Sequence, residues 1–182
     1  MFKSILRNLH RYILWALLSA ILWAWIFTLL FSAPADKKVV LYADLPYVER
    51  NELSIALEQD LPDGIRVVDT AAFDDMMFNQ VEVLSGDLYL IPESHVEEYL
   101  ASFAPIDRTA FPDAEFYEAD GEAYGVLVHD GAGRSVGSQY VFYIPDERCW
   151  LFFNKDSKHL GAWNGSADDA AVSIAREFLT LE

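Results

Sequence analysis

Between Arg11 and Asp36 the chain carries no charged side chain, and from Tyr12 to Phe31 it is almost wholly apolar, running through Ile13, Leu14, Trp15, Leu17, Leu18, Ile21, Leu22, Trp23, Trp25, Ile26 and Phe27. About 20 such residues, each rising 1.5 Å in a helix, match the bilayer's hydrocarbon thickness of about 30 Å, so residues 12–32 are expected to span a membrane. Ser19 and Thr28 are the only polar breaks in that run, and the polar stripe of a soluble core helix is missing. Lys3, Arg7 and Arg11 precede the segment with no acid among them, which marks residues 1–11 as the cytoplasmic end and the remainder as extracytoplasmic. Ala33-Pro34-Ala35 offers the small residues that a signal peptidase reads, so secretion after cleavage at Ala35 is the rival expectation. The apolar run exceeds the usual h-region of about 7 to 15 residues, which favours an uncleaved signal anchor followed by a linker at 33–37.

All 29 acidic groups lie beyond residue 34, and with 13 basic groups in the whole chain the formal net charge is −16. A 53% hydrophobic and 14% aromatic composition is far too apolar for a disordered acidic chain, so residues 38–182 should fold as one domain around a real core. A surface of that sign repels phosphate backbones and anionic headgroups, which excludes nucleic acid as a partner. The single cysteine, Cys149, excludes an internal disulfide and a cysteine-rich metal site. Its setting, Cys149-Trp150-Leu151-Phe152-Phe153, reads as a buried strand rather than as a reactive thiol.

The pattern beyond the linker begins as strand, helix, strand, helix, strand, helix. Val39–Tyr42 is an apolar strand closed by Asp44-Leu45-Pro46, and Glu49–Asp60 carries Leu53, Ala56 and Leu57 at helical spacing before the stop Pro62-Asp63-Gly64. Ile65–Asp69 is a second strand, Phe73–Leu84 a helix carrying Met76, Met77 and Val81 inward, and Asp87–Ile91 a third strand. Ser94-His95-Val96-Glu97 has capping-box spacing and opens a third helix. Alternation of this kind implies right-handed crossovers and a parallel three-strand core, the α/β class. Past Ile106 the pattern changes to strand-like runs at Tyr124–His129, Gln139–Ile144 and Cys149–Phe153, joined by turns and expected to extend the sheet antiparallel. Ser166 is expected to cap a closing helix with Ala171, Ile174, Ala175, Phe178 and Leu179 on one face.

Catalytic and metal signals are weak. His10, His95, His129 and His159 are far apart and read as surface or capping residues, so no metal ligand set and no cofactor are expected. Gly131, Gly133 and Gly137 lack dinucleotide-loop spacing and read as a hairpin turn. Asp113, Glu115, Glu118, Asp120 and Glu122 read as a solvated acidic loop, since the spacing of a calcium loop is absent. Asp74-Asp75 reads as a helix start, and Asn164-Gly165-Ser166, although it matches a glycosylation acceptor, as a turn. Ligands of open α/β sheets gather outside the carboxyl ends of the strands, which points to Asp44, Leu45 and Tyr47, to Thr70 and Phe73, and to Glu93 and Ser94. Tyr47 is the most useful of these, because an aromatic face can stack on a sugar or hold a cation, and its plainer role is to staple the first helix.

One resemblance gathers these motifs. Lys38-Val39-Val40-Leu41-Tyr42, a helix, and then Gly64-Ile65-Arg66-Val67 resemble the opening of the extracellular solute-binding proteins of ABC importers, especially the sugar-binding branch. Gly86-Asp87-Leu88-Tyr89-Leu90-Ile91-Pro92, Phe103-Ala104-Pro105-Ile106-Asp107 and Asp120-Gly121-Glu122-Ala123-Tyr124-Gly125-Val126 continue the likeness in order. Phe152-Phe153-Asn154-Lys155-Asp156 is similar to the segment at which that family's chain crosses to its second lobe. Such likeness over most of residues 38–156 implies a single-lobe version of the fold, in which Asp44, Tyr47, Glu93 and Ser94 match the ligand-facing loops by position. The resulting expectation is a membrane-anchored, non-catalytic binding protein for a small, sugar-like solute or for another protein, such as an ABC permease or a full-length binding protein. The alternatives are a carboxylate-dependent hydrolase using Asp74, Asp75, Glu93 or the acidic loop, and a structural envelope protein.

Overall fold

The computed structural model describes residues 2–31, 33–72 and 86–181, in two compact units, Met1–Pro34 and Ala35–Glu182. The first unit is a single helix, α1 (Phe2–Phe31). Its stretch Arg11–Thr28 is long and apolar enough to cross a membrane, and none of it is buried within the protein. Thr28 does not break the helix, because its hydroxyl donates 2.9 Å back to the carbonyl of Ala24.

The second unit is α/β. Its six-stranded mixed sheet has the order β3-β1-β4-β8-β6-β5, with β1 (Lys38–Ala43), β3 (Val67–Ala72), β4 (Leu88–Pro92), β5 (Phe116–Ala119), β6 (Glu122–His129) and β8 (Cys149–Phe153). β1 pairs parallel with β3 and β4, while β4–β8, β8–β6 and β6–β5 are antiparallel. The expected parallel core with an antiparallel extension is therefore what the chain builds. Every residue of β4 and of β8 is buried, as a continuous apolar run requires when both faces of a central strand are covered.

On one face Val39, Leu41, Leu90, Leu151 and Phe153 pack under α2 (Arg50–Leu57) and α4 (Ala170–Thr180). On the other, Tyr89, Ile91, Trp150 and Phe152 pack with Val96 and Tyr99 of α3 (Val96–Tyr99) and with Phe103. Close packing of the second face depends on two glycines. A Cβ at Gly125 would lie 2.7 Å from the Phe152 ring, and one at Gly86 would lie 2.5 Å from the Tyr42 ring.

Several expectations are corrected. The strand expected over Gln139–Ile144 shrinks to β7 (Val141–Phe142) and leaves the main sheet, pairing antiparallel with β2 (Tyr47–Val48) as a separate ribbon. The turn Gly137–Tyr140, with Gly137 at φ +60°, takes up the start of the expected run. Part of the acidic segment is a strand instead of a loop. Phe116–Ala119 forms a hairpin with β6 across Asp120-Gly121, both of which have positive φ. Ser166 does not cap α4: its hydroxyl donates to the carbonyl of Ser157, and Asp168 accepts the Ala170 N–H at 3.1 Å. The helix expected over Phe73–Leu84, with Asp74 and Asp75, lies outside the described residues.

Candidate functional site at the carboxyl edge of the parallel strands

The ladder between β1 and β4 runs one residue past β1, since the Asp44 N–H donates 2.9 Å to the carbonyl of Leu90. That bond holds the Asp44 side chain at the sheet's carboxyl edge, where the residue is 9% exposed. β4 is followed by a 3-10 turn, Glu93–His95, which carries the chain back over the same edge. His95 meets Asp44 there, with Nδ1 and Oδ2 2.6 Å apart. A carboxylate at this distance fixes the tautomer and orientation of an imidazole.

Glu93 and Ser94 occupy the same turn. The Glu93 N–H donates to the carbonyl of Arg148 at 2.9 Å, and the Ser94 N–H donates to Oε1 of Glu147 at 3.0 Å. Arg148 gathers the acids around it: its Nε is 3.9 Å from Glu93, its Nη2 pairs with Glu115, and its guanidinium lies 4.5 Å over the Trp150 ring. The stacked, planar fork is a role that lysine could not fill.

Tyr47 follows Asp44 by three residues but belongs to the ribbon. It is 48% exposed, its hydroxyl donates to Glu49, and its ring meets that of Phe142 edge-on at 5.4 Å between centroids. Phe142, its direct cross-strand partner, is 57% exposed. Tyr47 thus pairs with an aromatic residue of the ribbon rather than standing alone at a strand end. Of the expected site residues, Asp44, Glu93 and Ser94 come together through β1, β4 and the turn that follows, and Tyr47 stands beside them on β2.

His95, Arg148 and Phe142 belong to this edge and were not singled out by the sequence. His95 had passed for a capping residue, yet α3 has no side-chain cap. Its partner lies 51 positions away, so no local spacing could announce the pair.

The edge also carries buried groups. Cys149, opposite Pro92 and His129 in the ladders, is fully enclosed, and burial pushes its thiol far above the ordinary value, so it stays protonated. Tyr143 stacks on His129 at 4.7 Å, donates its hydroxyl to the carbonyl of Val136 at 2.6 Å, and is likewise driven up by burial. His129 holds Ser135 Oγ at Nδ1, 2.7 Å away, while its Nε2 is buried without a partner among the described residues. No group of His, Cys, Asp and Glu able to hold a metal ion occurs among the described residues.

A second polar cluster lies at the other end of β4. Asp87 accepts from the Val40 N–H at 2.8 Å and from the Ser157 hydroxyl at 2.6 Å, and His159, 2% exposed, sits 2.7 Å from Asp168. His159 is therefore a core residue and not the surface group its sequence setting suggested. Burial raises the Asp87 carboxyl even though both bonds pull it down. The Ser157–Asp87 bond ties the segment after β8 to the sheet, the Val40–Asp87 bond joins β1 to the start of β4, and the His159–Asp168 pair braces that segment internally, so the cluster accounts for itself as structure. Comparison with protein-family models and with curated proteins gives no match, and the reading of the site rests on this geometry.

Proposed function

We propose that this chain is a membrane-anchored, extracytoplasmic, non-catalytic binding protein with α1 as its anchor, and that it recognises its target at the carboxyl edge of the parallel strands. The observation that carries the reading is the Tyr47–Phe142 pair, two large aromatic rings each about half exposed on a ribbon beside Asp44, Glu93 and Ser94. As a cross-strand pair the two rings also support the ribbon, and aromatic side chains left half exposed are among the residues most enriched at recognition surfaces. The polar groups nearby are mixed in sign, with Glu49 accepting from the Tyr47 hydroxyl and Glu93 lying 3.9 Å from Arg148. The strand order β3-β1-β4 with helices on both faces supports the likeness to one lobe of an ABC-importer solute-binding protein. A surface of this kind suits a protein partner, such as a permease or a full-length binding protein, better than a small sugar, which needs most of its area enclosed.

The test is site-specific photo-crosslinking in intact cells, with the reactive side chain placed at Phe142 and, as control, at Ile55, which is 63% exposed and lies on α2. A discrete adduct at Phe142 that is missing at Ile55, and that disappears in a Tyr47→Ala background, supports the reading. Equal labelling at both sites, or none at Phe142, overturns it. A thermal-shift series of the whole chain in micelles against sugars then separates solute from protein, because a ligand at 100 times its Kd adds about 2.7 kcal/mol.

The hydrolase alternative draws on one feature, the Asp44–His95 pair, which has the spacing of a base and its orienting carboxylate. The buried, protonated Cys149 offers it no nucleophile.

A further inference from the structure

A cleft of about 360 Å³ opens beside the middle of β6, two strands away from β4 and so apart from the edge described above. Its walls are apolar and come from separate parts of the chain: Phe111, Val136 and Leu179. Two arginines line it, Arg134 from the turn after β6 and Arg176 from α4. Elsewhere in the fold Arg108 pairs with Glu118 at 2.6 Å, and Arg148 pairs with Glu115. Among the described residues neither Arg134 nor Arg176 has a carboxylate within 4.0 Å.

The Arg176 side chain is held in place, and at Arg134 the backbone is. The Arg176 Nε donates to the carbonyl of Ala110 at 3.2 Å, and its guanidinium carbon is 5.9 Å from the centre of the Phe111 ring, which leaves its terminal nitrogens uncommitted. Arg134 ends a turn locked by Asp130, whose Oδ1 accepts the N–H groups of Ala132, Gly133 and Arg134 at 2.7, 2.9 and 3.0 Å. Gly131 and Gly133 take the positive φ values, 73° and 143°, that this turn demands.

We infer that this cleft is a binding site for a small monocarboxylate with a compact apolar body, its carboxylate held between Arg134 and Arg176 and its body against Phe111, Val136 and Leu179. Guanidinium groups match a carboxylate in geometry and charge, the apolar walls reward a hydrocarbon body, and the volume falls in the range of ligand pockets, from about 300 Å³ upward. A single negative charge is favoured over a dianion for two reasons. The protein's overall field opposes anions, and Asp113 lines the same cleft as a competitor for the two arginines.

The experiment uses the full chain in detergent micelles, titrated calorimetrically with benzoate, with benzamide as the uncharged match and with inorganic phosphate. Benzoate is expected to bind saturably in the millimolar range, and benzamide and phosphate at least about tenfold more weakly, the worth of one charge-assisted hydrogen bond. Arg134→Gln and Arg176→Gln should each weaken benzoate about tenfold, Arg134→Lys less than Arg134→Gln, and Asp113→Asn should tighten it. Melting temperatures within a few degrees of the parent certify that each variant is folded, and Arg134→Lys and Asp113→Asn keep the test open if a glutamine variant is not. No saturable benzoate binding, equal binding of benzamide, tighter binding of phosphate, or indifference to the charge at 134 overturns the assignment.

Discussion

Replacing Gly125 by alanine tests the claim that the second core face is packed to its limit. The backbone at Gly125 does not need glycine's freedom, since its φ is not positive, so the effect is one of space. The added Cβ would sit 2.7, 2.9 and 3.0 Å from Cε1, Cδ1 and Cζ of Phe152, closer than side chains approach one another. Phe152 has nowhere to go, being fully buried, stacked on Phe103 at 4.4 Å and met edge-on by Tyr117 at 5.8 Å. Overpacking of this kind costs about 1–3 kcal/mol, and the gain from replacing a strand glycine returns about 0.5–1 kcal/mol. The two ranges leave a net loss centred on about 1 kcal/mol, or about 2–4 °C in Tm for a domain of this size. Urea unfolding followed by tryptophan fluorescence measures it, and Gly125→Ala/Phe152→Leu should recover much of the loss by vacating the ring. A Gly125→Ala variant as stable as the parent would refute the packing argument.

Four further outcomes follow from the same geometry. Cys149 in the folded chain should resist alkylation at mildly alkaline pH and react only after denaturation, so labelling of the native protein at the rate of a free thiol would contradict its burial. Because the Asp87 carboxyl is raised in the folded state, the native protein takes up a proton there before the unfolded chain does. The stability of the parent relative to Asp87→Asn should therefore rise as pH falls from neutrality through the folded value towards the unfolded one. Asp130 is lowered by its backbone N–H bonds, so its contribution is present above the unfolded value and disappears as pH falls through the folded one. Relative to Asp130→Ala the parent should thus lose ground in acid, and denaturant melts at a series of pH values read both signs. Arg148→Ala should cost about 0.5–1 kcal/mol through the lost Trp150 contact and change that residue's fluorescence, whereas an unaltered spectrum would deny the stacking.

What could be read from the sequence was whatever is periodic and local. β1, β4 and β8 are apolar runs bounded by Asp44-Leu45-Pro46, Pro92 and Asn154, and α4 shows its buried stripe directly. β5 escaped because Glu115, Glu118 and Asp120 mask a strand in which Phe116 and Tyr117 pack half-buried beside β6. β7 was overdrawn because Tyr140 and Tyr143 are apolar for reasons of packing, not of strand pairing. The site followed the same rule. Asp44, Glu93 and Ser94 were placed by a general property of α/β sheets, while His95, Arg148 and the Arg134–Arg176 cleft depend on partners many residues away.

The sheet is not assembled in the order in which it is made. β8, the last strand in sequence, lies in the middle, between β4 and β6. Until residues 149–153 have emerged, β4 and β6 lack the strand that joins them, and any sheet formed from either side would present an unpaired apolar edge of the kind that pairs with a neighbouring molecule. The two sides of the sheet can be joined only once β8 is available, so a nascent chain stalled before Cys149 would be the aggregation-prone species that a cell has to shield or destroy.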